Sequence, residues 1–173
     1  MKRFKLLACL TVLVASSAVA ESVKITINKV TSRGVGEKIG IINVADTKYG
    51  AVFSPDLVGL SSGGHGFHIH QNPKCGSKEK NGKVVPGLAA GGHFDPADTG
   101  LHAGPYGEGH LGDLAFLYVE ADGKATAPIL APRVKVSDIK GRSLIIHAGG
   151  DNYSDLPKKL GGGGPRVACG VIK

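Results

Sequence analysis

Six histidines and one aspartate carry the chemistry open to this sequence: His68, His70, His93, His102, His110, Asp113 and His147. Neutral imidazole is the commonest protein ligand for transition metals. His68 and His70 lie in Gly66-Phe67-His68-Ile69-His70, where aromatic and β-branched residues alternate with histidines, the pattern of a short strand. Side chains on a strand alternate faces. Both imidazoles therefore point to one side, while Phe67 and Ile69 point to the other, toward a core. That makes a chelating pair on a rigid element. An isolated pair of this kind could equally be a solvated strand face, so the reading depends on the remaining candidates.

Those candidates sort into two donor sets. His93, His102, His110 and Asp113 offer three nitrogens and one oxygen, the closed tetrahedral set that suits zinc. His110 and Asp113 are close enough in sequence to form a second tight chelate. His68, His70 and His147 offer three nitrogens from two strands, and His93 could add a fourth, a set that suits copper(II). An imidazole has two ring nitrogens, so one deprotonated ring can hold two metals. His65 stands apart. Glycines flank it, and its parity along the strand differs from that of His68, so it is expected to be structural and bonded to backbone.

The elements that must position these groups read as short strands. Val23 to Val30 begins with Val23, Ile25 and Ile27 alternating against Lys24, Thr26 and Asn28, the pattern of a half-buried strand. Lys38 to Val44 and Gly50 to Ser54 follow, the latter expected to stop at Pro55. After the histidine strand, Asn72 to Gly112 shows no periodicity. A loop of that length belongs in a compact domain only if something other than apolar packing orders it, and a bound ion would. Asp113 to Glu120 resumes strand character, Asp122-Gly123 signals a hairpin, and Ala125 to Leu130 is the expected return, with Pro128 marking an edge or bulge. Val134 to Ile139 reads as one short turn at most. Ser143 to His147 and Val167 to Ile172 are the last strands, separated by a glycine-rich loop over Gly149 to Arg166. Eight short strands and two long loops make an all-β, eight-stranded Greek-key barrel or sandwich.

Composition sets the context. The chain has 173 residues. Lys2, Arg3 and Lys5, then an apolar run from Leu6 to Val14, then Ala18-Val19-Ala20 read as a secretory signal over residues 1–20 with cleavage after Ala20. Leu6-Leu7-Ala8-Cys9 resembles a lipoprotein box, but few apolar residues precede it, and no membrane anchor is expected. Residues 21–173 are then one exported domain. Losing the three basic residues of the leader takes the formal charge from +7 to +4. No basic block interleaved with aromatics is present, so nucleic-acid binding is not expected. Mild positive charge suits a small anionic substrate. The mature chain keeps two cysteines, Cys75 and Cys169, and an even count in an exported chain invites a disulfide.

Taken together, the histidine segments resemble bacterial periplasmic copper,zinc superoxide dismutases. The matching stretches are Gly64-His65-Gly66-Phe67-His68-Ile69-His70, Ala90-Gly91-Gly92-His93-Phe94-Asp95-Pro96, Gly109-His110-Leu111-Gly112-Asp113-Leu114, His147-Ala148-Gly149-Gly150-Asp151-Asn152 and Gly163-Gly164-Pro165-Arg166-Val167-Ala168-Cys169-Gly170. The resemblance implies one copper on His68, His70, His93 and His147, and one zinc on His93, His102, His110 and Asp113, with His93 as the bridge. It implies that Asp151 accepts hydrogen bonds from His68 and His102, that Arg166 binds the incoming anion, and that Cys75 and Cys169 are bonded. The implied reaction is dismutation of superoxide to dioxygen and hydrogen peroxide by copper cycling between Cu(II) and Cu(I), with Arg166 and His93 as catalytic residues and zinc in a structural role.

Lys158, Lys159, Lys74, Lys78, Lys80 and Lys83 are candidates for steering the substrate. Bacterial members of the family include monomers and dimers, and a homodimer is the preferred expectation. Two rivals use the same residues. A metal buffer without turnover would lack a copper ligand or the anion-binding arginine. A zinc hydrolase would need an open zinc position and a nearby carboxylate base.

Overall fold

The first three strands form a meander: β1 (Ser22–Thr31), β2 (Gly34–Thr47) and β3 (Gly50–Leu57). The structure is a computed structural model that describes residues 20–173; the expected leader, Ala20 apart, lies outside the described residues. Alternation in β1 has its expected result, with Ile25 and Ile27 fully buried and Lys24 and Thr26 exposed. The later elements are β4 (Gly63–His65), β5 (Phe67–His70), β6 (Lys78–Lys80), β7 (Lys83–Val85), β8 (Leu117–Val119), β9 (Ile129–Ala131), α1 (Val136–Ile139), β10 (Arg142–His147) and β11 (Arg166–Ile172).

One antiparallel sheet runs β5-β10-β11-β1-β2-β3-β9, and a second pairs β4 with β8. β4 and β5 are one strand path that changes partner at Gly66, so the barrel has eight strands with β6 and β7 outside it. The last strand pairs beside the first (Asn28 opposite Cys169), which gives the connection its Greek-key character. Phe53 and Phe67 meet edge-on in the interior with ring centroids 5.8 Å apart. Burying each such side chain contributes on the order of 1.5–3 kcal/mol. No helix among the described residues is long and apolar enough to cross a membrane.

Two strand expectations need correction. Pro55 does not end β3, because it pairs opposite Ile42 and the strand continues to Leu57. The reason is directional. Pairing of β3 with β9 ends at Phe53 opposite Ile129, and the next contact on that side is the Leu57 N–H donating to the Ala125 carbonyl. By strand alternation Pro55 faces that same side, in the gap, where its missing N–H leaves no rung unmade. The hairpin at Asp122-Gly123 is also shorter than expected. Its turn closes through Gly123 N–H to the Glu120 carbonyl, but the return segment leaves β8 and joins β3 instead.

The first long loop is not featureless. β6 and β7 form a small hairpin through Asn81 and Gly82, both in the left-handed region at φ 53° and 71°. Asn-Gly flanked by lysines is a type I′ signal that the sequence carried. The rest of the loop is stitched to the edge of β5. Ile69 donates to the Gly112 carbonyl at 2.9 Å, and its own carbonyl accepts from Phe94 at 2.8 Å. A Cys75–Cys169 disulfide ties the same loop to β11, packed among Val30, Ala90 and Ile145.

Candidate metal centre

The barrel places the two sets of candidate ligands side by side. His68 and His70 are fully buried on β5, opposite Ile145 and Ser143 of β10, and His147 ends β10. The stitched loop adds the rest. His70 bridges to His93 and His68 to Asp113 in the backbone ladder. His102 and His110 sit at the two ends of a tight segment closed by His110 N–H donating to the Leu101 carbonyl at 2.9 Å. Donor atoms of His68, His70, His93 and His147 lie within 4.8 Å of one another, as do those of His68, His93, His102 and Asp113.

Hydrogen bonds assign the free nitrogen of most rings. His68 donates through Nε2 to Asp151 Oδ2 at 2.7 Å, His70 through Nδ1 to the Gly91 carbonyl at 3.0 Å, and His147 through Nδ1 to the Gly164 carbonyl at 3.0 Å. An acceptor on one nitrogen leaves a lone pair on the other. The nitrogens left over are His68 Nδ1, His70 Nε2 and His147 Nε2, and each is buried without a partner. His93 Nε2 is the fourth buried, unpartnered nitrogen of that cluster. Buried polar atoms normally have partners. Four orphaned lone pairs converging from three segments are the donor set of a transition metal, so these residues fit copper.

The second cluster is built around one carboxylate. Asp113 Oδ1 lies 2.8 Å from His93 Nδ1 and 3.2 Å from His110 Nδ1, while Oδ2 lies 3.0 Å from His102 Nδ1. His102 Nδ1 makes that approach without hydrogen-bond alignment. Donors about 3 Å apart and aimed past one another are what a tetrahedral shell with zinc bonds of about 2.0–2.1 Å requires. Nitrogen, nitrogen, nitrogen and oxygen fit zinc. The mutually close grouping contains His68 where the sequence reading put His110. His68 lies between the clusters, with its ring 4.1 Å from that of His93 and 5.3 Å from that of His102. Because Nε2 of His68 already holds Asp151, only Nδ1 remains for an ion. His110 reaches Asp113 from the outer side, its ring 6.2 Å from that of His102.

Charge follows the same plan. Burial pushes His68, His70 and His93 down, and pushes His147 down to about 4, where the nearby Arg166 charge and the crowding of a second imidazole at His93 also disfavour a proton. The shift in each case favours the neutral ring, the form a metal ligand needs. Burial also opposes charge on His102, but Asp113 and Asp151 outweigh it and hold the ring at about 9. Burial works against an ionised Asp113, yet His102 and His93 keep it well below the usual carboxylate range.

Asp151 joins the two sides. Its Oδ2 takes His68 and its Oδ1 takes His102 Nε2 at 2.8 Å. Gly161 leaves room for this: at φ 67° a Cβ there would stand 1.9 Å from Asp151 Oδ1. Arg166 pairs opposite His147 across a bulge between β10 and β11. Its Nη1 and Nη2 donate to the Gly87 and Gly91 carbonyls, both at 2.6 Å. His65 is buried with Nδ1 donating to the His147 carbonyl at 2.6 Å and Nε2 2.8 Å from the Ser61 carbonyl, the structural role expected of it.

Sequence reasoning missed Asp155. Its Oδ2 accepts the His102 backbone N–H at 2.9 Å and its Oδ1 the Leu160 N–H at 3.0 Å, so it clamps the second long loop onto the first. Asp155 follows Asp151 by four residues, but nothing in that spacing marks a backbone acceptor.

A Greek-key barrel whose interior edge gathers two overlapping groups of histidine and aspartate donors able to hold metal ions defines a class of metalloprotein. Residues 38–172 match the family model described as copper/zinc superoxide dismutase (SODC). The chain is 54% identical to the superoxide dismutase [Cu-Zn] of Escherichia coli (strain K12) over 174 residues, spanning 100% of both chains. It is 56% identical to that of Photobacterium leiognathi over 146 residues, 84% of each. Among solved structures, the Cu/Zn superoxide dismutase from Brucella abortus superposes with a TM-score of 0.87 at 48% identity, covering 88% of this chain and 100% of that one. The monomeric copper, zinc superoxide dismutase from Salmonella enterica gives a TM-score of 0.80 at 53% identity, with the same coverage. The chain belongs to the copper/zinc superoxide dismutase family. It is an oxidoreductase whose cofactors are copper and zinc.

Proposed function

We infer that this chain dismutates superoxide in the periplasm, with copper held by His68, His70, His93 and His147 and zinc by His93, His102, His110 and Asp113. The observation that carries this reading is His93. Its Nε2 is orphaned within one cluster while its Nδ1 faces Asp113 in the other. His68, His70, His102 and His147 each give one nitrogen to an acceptor outside the ligand sets; His93 gives both to the centre.

Bound copper supplies a one-electron couple, Cu(II)/Cu(I), through which one superoxide leaves as dioxygen and a second, with two protons, as hydrogen peroxide. The chain's own residues do the rest. His68, His70 and His147 are fixed in tautomer by Asp151, Gly91 and Gly164. His93 has no such outside acceptor, so it is the ring that can hold a proton at Nε2 in one half of the cycle and return it in the other. Arg166 keeps a guanidinium beside the copper-side rings, where it attracts and orients a small monoanion. His93, His102, His110 and Asp113 would hold zinc, which has no redox chemistry and would supply order to the loop that carries them and a polarising charge beside His93.

Residues 1–20 are read as a signal peptide cleaved after Ala20, which agrees with a disulfide in the mature chain. The Salmonella enterica relative is described as monomeric; monomer is the assembly it favours here, against the homodimer preferred from sequence. The test is a metal count with activity. One copper and one zinc per mature chain, with superoxide dismutation that is lost in His93→Ala, supports the reading. Zinc alone with hydrolytic activity would replace it.

A further inference from the structure

The geometry points to Arg133 as a positioning residue that sets the separation of His102 and His110 before an ion arrives. This rests on the reading of those two histidines as zinc ligands.

Arg133 lies between β9 and α1, far in sequence from either ligand. Its base is rigid. Val134 beside it is buried, donates to the Ala131 carbonyl at 3.2 Å and accepts from Ala51 of β3 at 2.9 Å. From this anchored turn the guanidinium enters the loop of residues 101–110. Nε donates to the Pro105 carbonyl at 3.1 Å, Nη1 to Gly109 at 3.2 Å, and Nη2 to Gly104 at 3.2 Å and to His110 at 2.7 Å.

Four carbonyl oxygens thus turn inward on one planar cation. Without it the Gly104, Pro105 and Gly109 carbonyls would lose the donor they face and His110 would keep only the long bond from Asp113 N–H, and buried acceptors without donors are costly. The loop has no regular secondary structure, and its other ties, at Leu101, His102 and Ala103, lie at its start rather than among these carbonyls. It is also wound tightly. A Cβ at Gly107 would stand 2.4 Å from the Ala103 carbonyl oxygen, and one at Gly109 2.3 Å from that of Leu101. The guanidinium does for this loop what a bound cation would do.

The consequence falls on the two ligands unequally. His102 is held by Asp151 at its ring and by Asp155 at its backbone. His110 has its ring Nδ1 3.2 Å from Asp113 and its backbone N–H on Leu101, and its carbonyl accepts from Arg133 at 2.7 Å and more loosely from the Asp113 N–H at 3.3 Å. Arg133 therefore holds the His110 backbone against the anchored turn after β9, while Asp113 meets the ring. Lysine would replace Arg133 only in part, because an ammonium keeps the charge but lacks the planar fork that serves several acceptors at once.

The test uses the full mature chain with Arg133→Gln and Arg133→Lys. Zinc affinity is read by chelator competition, the visible spectrum of cobalt(II) in the zinc site reports ligand geometry, and copper affinity is the internal control. Arg133→Gln is expected to weaken zinc about tenfold or more, to alter the cobalt bands, and to leave copper affinity within about twofold. Arg133→Lys should shift both zinc readouts in the same direction by less. An unchanged zinc affinity and cobalt spectrum in Arg133→Gln overturns the proposal, and so does an equal loss of both metals. Should Arg133→Gln not fold, an unaltered cobalt spectrum in Arg133→Lys overturns it instead. A wild-type zinc affinity in His110→Ala would remove the ligand reading itself, a different failure.

Discussion

Arg166 and His70 donate to the same oxygen. Arg166 Nη2 lies 2.6 Å and His70 Nδ1 3.0 Å from the Gly91 carbonyl. One backbone atom thereby fixes the guanidinium proposed to attract the anion relative to an imidazole of the proposed copper set. Since Gly87 takes the other amino group, the side chain is pinned at both ends of its fork. Arg166→Ala should lower kcat/KM by about tenfold or more and flatten its dependence on ionic strength. Copper content should not change. Rapid kinetics at two salt concentrations measure this, and an undiminished rate would remove Arg166 from the reaction.

Asp151 receives a ring N–H on each carboxylate oxygen. In Asp151→Asn one of those oxygens becomes an NH2 group facing an N–H, donor against donor. Zinc affinity should fall by about 10–100-fold, the usual effect of losing such a partner. His68 should loosen as well. Chelator competition for both metals reads the outcome.

The Cys75–Cys169 bond joins a loop to the barrel over a sequence separation of 94. Replacing both cysteines by serine should destabilise the metal-free chain by about 2–4 kcal/mol. Ala90 packs against the bond, and Gly91 next to it holds Arg166 and His70. The variant should therefore lose activity at temperatures where the barrel is still folded. Thermal unfolding followed beside activity separates the two effects.

The metal-free chain should be most stable near pH 6.5. Burial lowers His147 to about 4, so below about 6.5 the unfolded chain binds a proton that the folded one refuses. That group alone removes about 3 kcal/mol between pH 6.5 and pH 4, and His68, His70 and His93 act in the same direction. His102, raised to about 9, works from the other side. Its contribution is complete below about 6.5 and is lost as pH rises through 9. Denaturant melts of metal-free protein from pH 4 to pH 10 should trace this dome, and loading both metals should flatten it.

Most of the centre was legible in the sequence because histidine ligands are chemically conspicuous and strand parity says which way they point. His68 and His70 are the clearest case. What stayed hidden works through backbone oxygen. Gly91 carries no side chain, yet its carbonyl orders two functional groups. Arg133 and Asp155 act on main-chain atoms at sequence distances that no spacing rule links. Pro55 was misread because residue type reports a missing N–H but not which neighbour that N–H would have faced. The hairpin at Asn81-Gly82 was readable, and was lost inside a stretch that otherwise lacked periodicity.

The bridging role proposed for His93 is tested most directly by putting cobalt(II) in the zinc position, copper(II) in the other, and recording the electron paramagnetic resonance spectrum. A single imidazolate between the ions should couple their spins, so that the ordinary copper(II) signal vanishes and returns when the cobalt is removed. An unaltered copper(II) signal in the presence of bound cobalt would show that the two ions do not share the ring of His93.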